Sequence, residues 1–149
     1  MLIVGKGGTS WADEAVADYA KRVRRWGGIE EIAVRNETFR GNEDAVRQAE
    51  GERVLAQVGP RDRLIVLDER GDELTTTSWR ALFDGARNEG ARLVFAIGGA
   101  YGHAPDVRAR AYKSVRLSGL VLNHEVARVV LYEQIYRVLA AIHGVPYAH

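Results

Sequence analysis

Two glycine-bearing segments in the second half of the chain have the composition of ligand-binding loops. Gly98-Gly99 directly follow the apolar run Leu93–Ile97, and because glycine lacks a Cβ, a ligand can approach the backbone closely there. A glycine pair after a strand is also compatible with a simple turn. The second segment is apolar but has the serine and glycine of a loop, which suits an aromatic base or a thioether chain held by backbone groups. Its residues are Leu117, Ser118, Gly119, Leu120, Val121 and Leu122.

Three charged side chains interrupt an otherwise apolar stretch near the C-terminus. Glu133 and Arg137 are four residues apart and share one face of a helix, whereas Arg128 lies outside that pair. Buried charges are costly unless they are paired or used, so one interpretation is a salt-bridge network between subunits. The other is that the arginines bind an anionic backbone or a developing enolate. The tail 146–149 would then fold over the same pocket, with Tyr147 stacked on a nucleobase and a histidine taking a proton.

The common motifs of nucleotide, metal and nucleophile chemistry are absent from the sequence. Residues 5–9, Gly-Lys-Gly-Gly-Thr, lack the spacing of a phosphate-binding loop, and no G-x-G-x-x-G follows a strand. His124-Glu125 could begin the zinc motif H-E-x-x-H, but Arg128 stands where the second histidine is required. The chain has no cysteine, which excludes disulfides, thiolate metal sites and cysteine nucleophiles. We therefore expect no bound metal, and no G-x-S-x-G elbow of a serine hydrolase is present.

Apolar runs alternate with amphipathic segments along the 149 residues. Continuous apolar strands separated by helices are typical of strands covered on both faces, which predicts an α/β protein with a mostly parallel sheet in a single domain over residues 1–149. The first helix has a predicted apolar stripe through Trp11, Ala15, Tyr19, Val23 and Trp26. The predicted strands are 2–4, 29–34, 64–68 and 93–97. The predicted helices are 10–26, 42–58, 77–86, 105–111 and 125–143, with a basic stretch at 113–116.

The last predicted helix is apolar on nearly all sides. Eight Val, Leu and Ile residues and three alanines leave almost no purely polar face between residues 125 and 143, so a surface position would expose too much apolar area. We expect the sheet to cover one side and a second copy of the same helix to cover the other, which predicts a homodimer. The alternative is that other helices of the same chain provide this cover.

The charge balance argues against a protein that holds nucleic acid by net charge alone. The chain has 21 Lys and Arg against 20 Asp and Glu, a formal charge of +1. Residues 106–149 have six basic and three acidic side chains, so an anionic partner is expected to meet that third of the chain. No apolar stretch is long enough for a membrane span, and the first residues lack the pattern of a secretion signal. The expected location is the cytoplasm.

Six separated motifs, in order along the chain, together resemble one known family. They are Val4-Gly5-Lys6, Leu67-Asp68 with Gly71, Ile97-Gly98-Gly99 with Gly102, Leu117 to His124 running into Arg128-Val129-Val130, Glu133-Gln134-Ile135-Tyr136-Arg137, and Pro146-Tyr147. This set is similar to the RlmH family of bacterial SPOUT-class methyltransferases over the full length. Two departures are that Asn123 stands where the family commonly has proline, and that Ala148 stands where the family has histidine.

The resemblance implies a fold and a reaction. The fold would be a SPOUT-type α/β domain, with a mostly parallel sheet flanked by helices and a C-terminal trefoil knot, in a homodimer. S-adenosylmethionine would bind in the knot, at Leu67, Gly98 and Leu117 to Leu122, beside Gly99. The reaction would be N3-methylation of a pseudouridine in large-subunit ribosomal RNA on the assembled ribosome.

The resemblance also suggests roles for the polar residues. Arg128 or Arg137 would stabilise the deprotonated base, and Glu133 would orient an arginine. Tyr147 would hold the base, and His124 or His149 would transfer the proton. Three alternatives stay open at this point. They are a SPOUT enzyme acting on another RNA such as transfer RNA, a ribosome-binding protein with weakened catalysis, and a nucleotide-binding regulator with no RNA role.

Overall fold

The computed structural model describes residues 1–5 and 10–147 of the chain. None of the helices in these two ranges is long and apolar enough to cross a membrane. The elements follow one another as β1 (Leu2–Val4), α1 (Ser10–Val23), a short 3-10 helix (Arg24–Trp26), β2 (Ile32–Val34), α2 (Glu43–Leu55), β3 (Arg63–Glu73), α3 (Thr76–Glu89), β4 (Leu93–Ile97), α4 (Pro105–Arg110), β5 (Lys113–Arg116) and α5 (His124–Ile142).

The strands form one sheet in the order β2-β1-β4-β3-β5, and every neighbouring pair is parallel. This confirms the predicted α/β class, while the knot implied by the resemblance stays a prediction. Because all strands run the same way, their carboxyl ends lie at one edge of the sheet, which is where open α/β sheets bind ligands.

Both faces of the sheet are buried, as the continuous apolar runs predicted. Along β3, Leu64 and Val66 pack on the face covered by α2 and α4. Ile65 points to the opposite face, which is covered by α3 and α5. Helix α1 packs on α5 rather than on the sheet, through Val23 against Tyr136 and Ala140. The period-two alternation of a strand therefore divides one apolar run between two cores.

The junction of β3 and β5 differs from the prediction. The predicted strand ends at Asp68, whereas β3 continues to Glu73, and the basic stretch 113–116 is itself the edge strand β5. Leu67 and Asp72 both align with Val115, so β3 kinks as it passes β5. A Cβ on Gly71 would lie 2.5 Å from the backbone nitrogen of Val115, a distance at which only glycine fits. The expectation missed β5 because Val115 is its one fully buried residue.

Several other predicted boundaries were wrong by one to three residues. The second strand begins at residue 32 rather than 29, and α2 ends at residue 55 rather than 58. Thr75, not residues 77–78, caps α3 by accepting a hydrogen bond from the Ser78 backbone. The apolar stripe of α1 was right at Tyr19, Val23 and Trp26, which pack in the contact with α5. It was wrong at its first residue, since Trp11 is 51% exposed while Ala12 is buried.

A buried arginine joins α5 to α1 and to the segment before β2. Arg128 is 7% exposed. Its Nε and Nη2 donate to Glu31 at 3.0 and 2.6 Å, and its Nη1 donates to Asp13 at 2.7 Å. The Tyr132 hydroxyl donates to the same Glu31 at 3.0 Å. Burial alone would lower the pKa of Arg128, but the hydrogen bonds to Glu31 and Asp13 raise it above its usual value. The guanidinium therefore stays charged and fixes the packing of α1 on α5.

The cover of α5 comes largely from its own chain. The sheet packs against Leu131, Ile135 and Val138, and α1 packs against Tyr136. Among the partly exposed residues of α5, one stripe at helical spacing consists of Val126, Val130, Glu133, Arg137 and Ala141. The homodimer therefore stays a prediction, and this stripe is the part of α5 that a second copy would have to cover.

We expect Arg128→Met to lower the free energy of unfolding by about 2–3 kcal/mol, because Glu31 and Asp13 would lose their partner. This is less than the loss for a fully buried pair because the Asp13 side chain is 51% exposed. Urea unfolding of wild type and variant measures the difference.

The matched control is Arg22→Met, which removes an ion pair with Asp18 between side chains that are 45% and 54% exposed. Its expected cost is about 0–1 kcal/mol. An Arg128→Met cost no larger than the control would show that the buried ion pair does not stabilise the α1–α5 contact.

Candidate functional site

A cavity of about 840 Å³ opens at the carboxyl ends of β1, β3, β4 and β5. Its walls come from Leu67 and Asp68 after β3, from the turn that follows β4, and from the loop between β5 and α5. Eight of the nine predicted cofactor residues line it, namely Leu67, Gly98, Gly99, Leu117, Ser118, Leu120, Val121 and Leu122. The ninth, Gly119, is not among the lining residues. The strand ends therefore bring together segments that are up to 55 residues apart in sequence.

The glycines after β4 are required by close backbone packing. Gly102 donates to the Gly99 carbonyl at 3.0 Å and has φ +75°, which closes a tight turn. A Cβ on Gly98 would lie 3.2 Å from the Gly102 carbonyl carbon, and one on Gly99 would lie 2.5 Å from Glu50 Oε2. The turn therefore does more than reverse the chain direction, because its glycines let the cavity wall pack closely against α2.

The loop 117–122 presents apolar side chains on a backbone ordered by its own polar groups. Ser118 Oγ accepts a hydrogen bond from the Leu120 backbone at 3.0 Å. Leu120 and Val121 are 77% and 82% exposed, so large apolar surfaces stand at the mouth of the cavity. Exposed apolar residues that line a cavity mark a ligand or partner site rather than a core.

Asp68, at the end of the sheet, is a buried and fully engaged acid. It accepts from Arg70 Nε at 3.0 Å and from Arg108 Nη1 at 2.9 Å. Burial alone would raise the pKa of Asp68, but these hydrogen bonds hold it well below the usual range. The carboxylate therefore stays ionised at neutral pH, with its charge balanced by two arginines.

Three buried polar atoms on cavity-lining residues have no hydrogen-bond partner among residues 1–5 and 10–147. One is Nε of the partly exposed Arg116, and the other two, Glu50 Oε2 and His103 Nε2, belong to residues that are 4% and 3% exposed. The other Glu50 oxygen accepts from the Glu37 backbone at 2.9 Å. Burial lowers the pKa of His103, so its imidazole is neutral at neutral pH. Unsatisfied buried groups are costly, and they are found where a ligand or water supplies the partner.

The sequence analysis missed Glu50 and His103, although one of them had a visible signal. Glu50 lies four residues from Val46 and four from Val54 on α2, and both valines are buried. A glutamate on a buried stripe at helical spacing is a functional candidate, because an ionised carboxylate is rarely buried without a partner. His103 had no comparable signal, since it follows a glycine turn rather than a periodic element.

The predicted catalytic residues occupy three different places. His124 lines the cavity with its side chain half exposed. Arg128 is held in the buried ion pairs between α1 and α5, and no donor of its guanidinium is directed at the cavity in this arrangement. Glu133 and Arg137 lie further along α5, Tyr147 follows the end of that helix, and none of the three lines the cavity. His149 is outside the described residues. His124 and Arg137 are thirteen residues apart on one helix, which corresponds to about 20 Å.

Glu133, Arg137 and Tyr147 form a cluster of their own with two further tyrosines. Arg137 donates to Glu133 Oε1 through Nε at 3.0 Å and Nη2 at 2.5 Å, and the Tyr147 hydroxyl donates to the same oxygen at 3.2 Å. The Tyr147 ring packs edge-on against Tyr136 at 4.6 Å, and its hydroxyl lies 3.3 Å from that of Tyr19. The contact with Tyr19 and burial raise the pKa of Tyr147 above its usual value, so the phenol stays protonated at neutral pH.

No cluster of metal-binding side chains is evident among the residues that the structure describes. No group of three His, Cys, Asp or Glu side chains that could hold a metal ion is present in the ranges 1–5 and 10–147. The cavity therefore offers backbone groups, apolar side chains and carboxylates to a ligand.

Comparison with known proteins identifies the family. The family model described as "Predicted SPOUT methyltransferase" matches residues 1–149. The chain is 40% identical to the "Ribosomal RNA large subunit methyltransferase H" of Geobacter sp. (strain M21), over 100% of the chain and 97% of that protein. It is 42% identical to the protein of the same name from Geobacter sulfurreducens, with the same coverage. The namesake in Desulfovibrio desulfuricans is 40% identical, over 99% of this chain and 95% of its own length.

Both the family match and these relatives span essentially the whole chain, and the parallel sheet with its cavity at the strand ends agrees with them. The chain therefore belongs to the SPOUT family of methyltransferases.

Proposed function

We propose that the protein transfers a methyl group from S-adenosylmethionine to N3 of a pseudouridine in large-subunit ribosomal RNA, on the assembled ribosome in the cytoplasm. The carrying observation is the cavity, whose walls are built from the segments that the resemblance assigns to the cofactor. Relatives that are about 40% identical over their full length are named as ribosomal RNA large-subunit methyltransferases, which supports the choice of RNA.

The residues of the cavity fit this cofactor in charge and in shape. Five acidic side chains line it, Glu37, Glu43, Glu50, Asp68 and Glu69, against the two arginines Arg70 and Arg116. An acidic cavity favours S-adenosylmethionine, which carries a sulfonium and an ammonium against one carboxylate. The apolar loop 117–122 suits its adenine ring, and the unpartnered Glu50 oxygen is an acceptor for its donors.

In this proposal Leu67, Gly98, Gly99 and the loop 117–122 hold the cofactor, which supplies an electrophilic methyl group when bound. The chain's own residues must orient the base and stabilise it without the N3 proton. Arg137 is suited to the second task, because Glu133 fixes its guanidinium through two hydrogen bonds. Tyr147, whose hydroxyl donates to Glu133, can hold the base through its ring. His124 at the cavity, or His149, would accept the proton.

We further propose that two protomers complete the site. Within one protomer His124 and the Glu133–Arg137 pair are separated by about 20 Å along α5, which is too far for both to act on one base. Glu133 and Arg137 lie on the partly exposed stripe of α5 that begins at Val126. If that stripe is the two-fold contact, each protomer presents its Arg137 to the partner rather than to its own cavity.

The function is tested by transfer of a labelled methyl group from S-adenosylmethionine to ribosomes from a strain that lacks the modification. We expect incorporation into the assembled ribosome at one pseudouridine and none into the same RNA stripped of protein. Incorporation into transfer RNA instead would identify another substrate. No transfer to any RNA, with cofactor binding intact by calorimetry, would contradict the enzymatic proposal and favour a catalytically weakened ribosome-binding protein.

Gly99→Ala should weaken cofactor binding by at least about tenfold, since its Cβ would lie 2.5 Å from Glu50 Oε2 and 3.1 Å from Val4 Cγ1. The displaced turn would distort the cavity wall. Isothermal calorimetry with S-adenosylmethionine measures the loss, and thermal melting shows whether the variant folds.

Gly119→Ala is the matched comparison, because a Cβ there meets nothing within 4 Å. Binding within about threefold of wild type is expected for it. If the two alanine variants bind equally well, the turn after β4 does not form a wall of the cofactor site.

Complementation tests the shared site. Gly99→Ala and Arg137→Ala chains should each be inactive alone, but mixed dimers would keep one intact cavity facing one intact arginine. After random assembly we expect about a quarter of wild-type methyl transfer. Analytical ultracentrifugation verifies that dimers form. Inactive mixed dimers would show that each protomer uses its own Arg137.

A further inference from the structure

The free positive charge of the molecule does not lie where the sequence suggested. Residues 106–149 have a surplus of basic side chains, but in the structure every one of them is engaged. Arg108, Lys113, Arg116, Arg128 and Arg137 each form an ion pair with a carboxylate. Arg110 donates to the carbonyls of Gly59 and Asp62 at 2.8 and 3.2 Å. The basic surplus of residues 106–149 is therefore bound largely to carboxylates and carbonyls of the same chain.

Unpaired cations are concentrated instead at the end of α1. Lys21, Arg24 and Arg25 are exposed, and none of them forms an ion pair with a described residue. Arg22, between them, pairs with Asp18 at 2.7 Å. Most arginines elsewhere in the described ranges have a carboxylate partner, so three free cations within five residues are a local exception.

An ordered aromatic stack lies beside these cations. The Trp26 and His143 rings are stacked at 5.0 Å with an interplanar angle of 4°, and the other side of Trp26 faces Tyr136 at 5.8 Å. The Arg25 guanidinium lies 4.3 Å from the Trp26 ring centre. We call Lys21, Arg24, Arg25, Trp26 and His143 the basic–aromatic patch.

Helix stability does not account for this charge. Cations near a helix C-terminus are favourable, but Lys21 and Arg22 already occupy the last turn of α1. Arg24 and Arg25 lie beyond it, three and four residues from Lys21, and like charges at such spacing repel each other. Helix capping by charge therefore does not explain why three cations stand together here.

We propose that the basic–aromatic patch binds the phosphodiester backbone of the RNA substrate. The inference rests on the proposed function. Lys and Arg side chains without partners suit phosphate oxygens, and a half-buried tryptophan stacked on an exposed histidine suits the adjoining sugars and bases. His143, at the C-terminal cap of α5, is nineteen residues from the cavity residue His124, which corresponds to about 28 Å. Within one protomer the patch is therefore remote from the cavity, and its role is to position the ribosome.

The test is the triple variant Lys21→Gln, Arg24→Gln, Arg25→Gln, with binding to unmodified ribosomes measured across a series of salt concentrations. We expect affinity at moderate salt to fall by about 10- to 100-fold, and the plot of log K against log salt to become less steep by about 0.7 to 0.9 per lost phosphate contact. KM for ribosomes should rise while kcat, S-adenosylmethionine affinity and melting temperature stay at wild-type values. A purely structural role would move the melting temperature instead.

The control removes the same formal charge from another surface, through Arg61→Gln, Arg80→Gln and Arg87→Gln, all of which are exposed, although Arg80 and Arg87 pair with Asp84. Equal losses in both triple variants would overturn the inference, since net charge alone would then explain binding. The inference would also be overturned if wild type bound ribosomes and the patch variant bound equally well, and the proposed function would survive that result. Failure of the wild type itself to bind ribosomes would reject both. The charge-conserving variant Lys21→Arg, Arg24→Lys, Arg25→Lys should keep binding near wild type.

Discussion

The close crossing of β3 and β5 at Gly71 is the constraint on which the cavity depends. The backbone of Ser114 and Val115 lies within 2.7 Å of where a Cβ would stand on Gly71, so no other residue fits without moving the edge strand. That contact sets where β5 ends, and the loop 117–122 starts from that end. Because β3 and β4 are parallel and paired from residue 63 to 67, the same edge also presents Leu67 and the Gly98 turn. Gly71, which lies outside the cavity, thus determines whether the three walls of the cavity meet.

The sequence predicts the features of the fold that depend on neighbouring residues and misses those that depend on contacts between distant residues. The strands β3 and β4 were predicted because burial on both faces leaves a continuous apolar run. The edge strand β5 was missed because only Val115 of its four residues is fully buried. The family resemblance predicted which segments form the cavity wall. It did not predict the partners of Arg128, which are residues 13 and 31, about 100 residues earlier in the chain. No spacing rule connects such distant positions, so a charge that is buried in the fold looked like a free catalytic arginine.

Ion pairs between side chains of the chain explain why the near-zero net charge of the sequence says little about which partners the protein binds. A formal charge of +1 is the sum of 21 cations and 20 anions, and most of the described arginines pair with carboxylates, some within four residues and others in distant parts of the chain. Exposed pairs of this kind contribute little to stability, but they decide which cations remain free to meet an anion. The surplus of basic side chains in residues 106–149 is neutralised by ion pairs. The end of α1 keeps its positive charge because its neighbouring carboxylate, Asp18, pairs with Arg22 and with none of the other cations there. Only the three-dimensional arrangement reveals this redistribution.

The two ends of α5 therefore have opposite electrostatic character, and this division suits a methyl transfer to RNA. The cavity end is lined by more carboxylates than arginines, which attracts a cationic cofactor and repels phosphates. The far end, at His143, lies beside the free cations of the basic–aromatic patch. A phosphodiester chain bound there is kept out of the cavity by charge, so the target nucleotide enters as a neutral ring. An anion that forms on that ring after loss of its proton is unfavourable among carboxylates. The two arginines that line the cavity, Arg70 and Arg116, are paired with Asp68 and Glu73. In the proposed mechanism the counter-charge would therefore come from Arg137, whose partly exposed position on α5 suits delivery of that side chain by a second protomer.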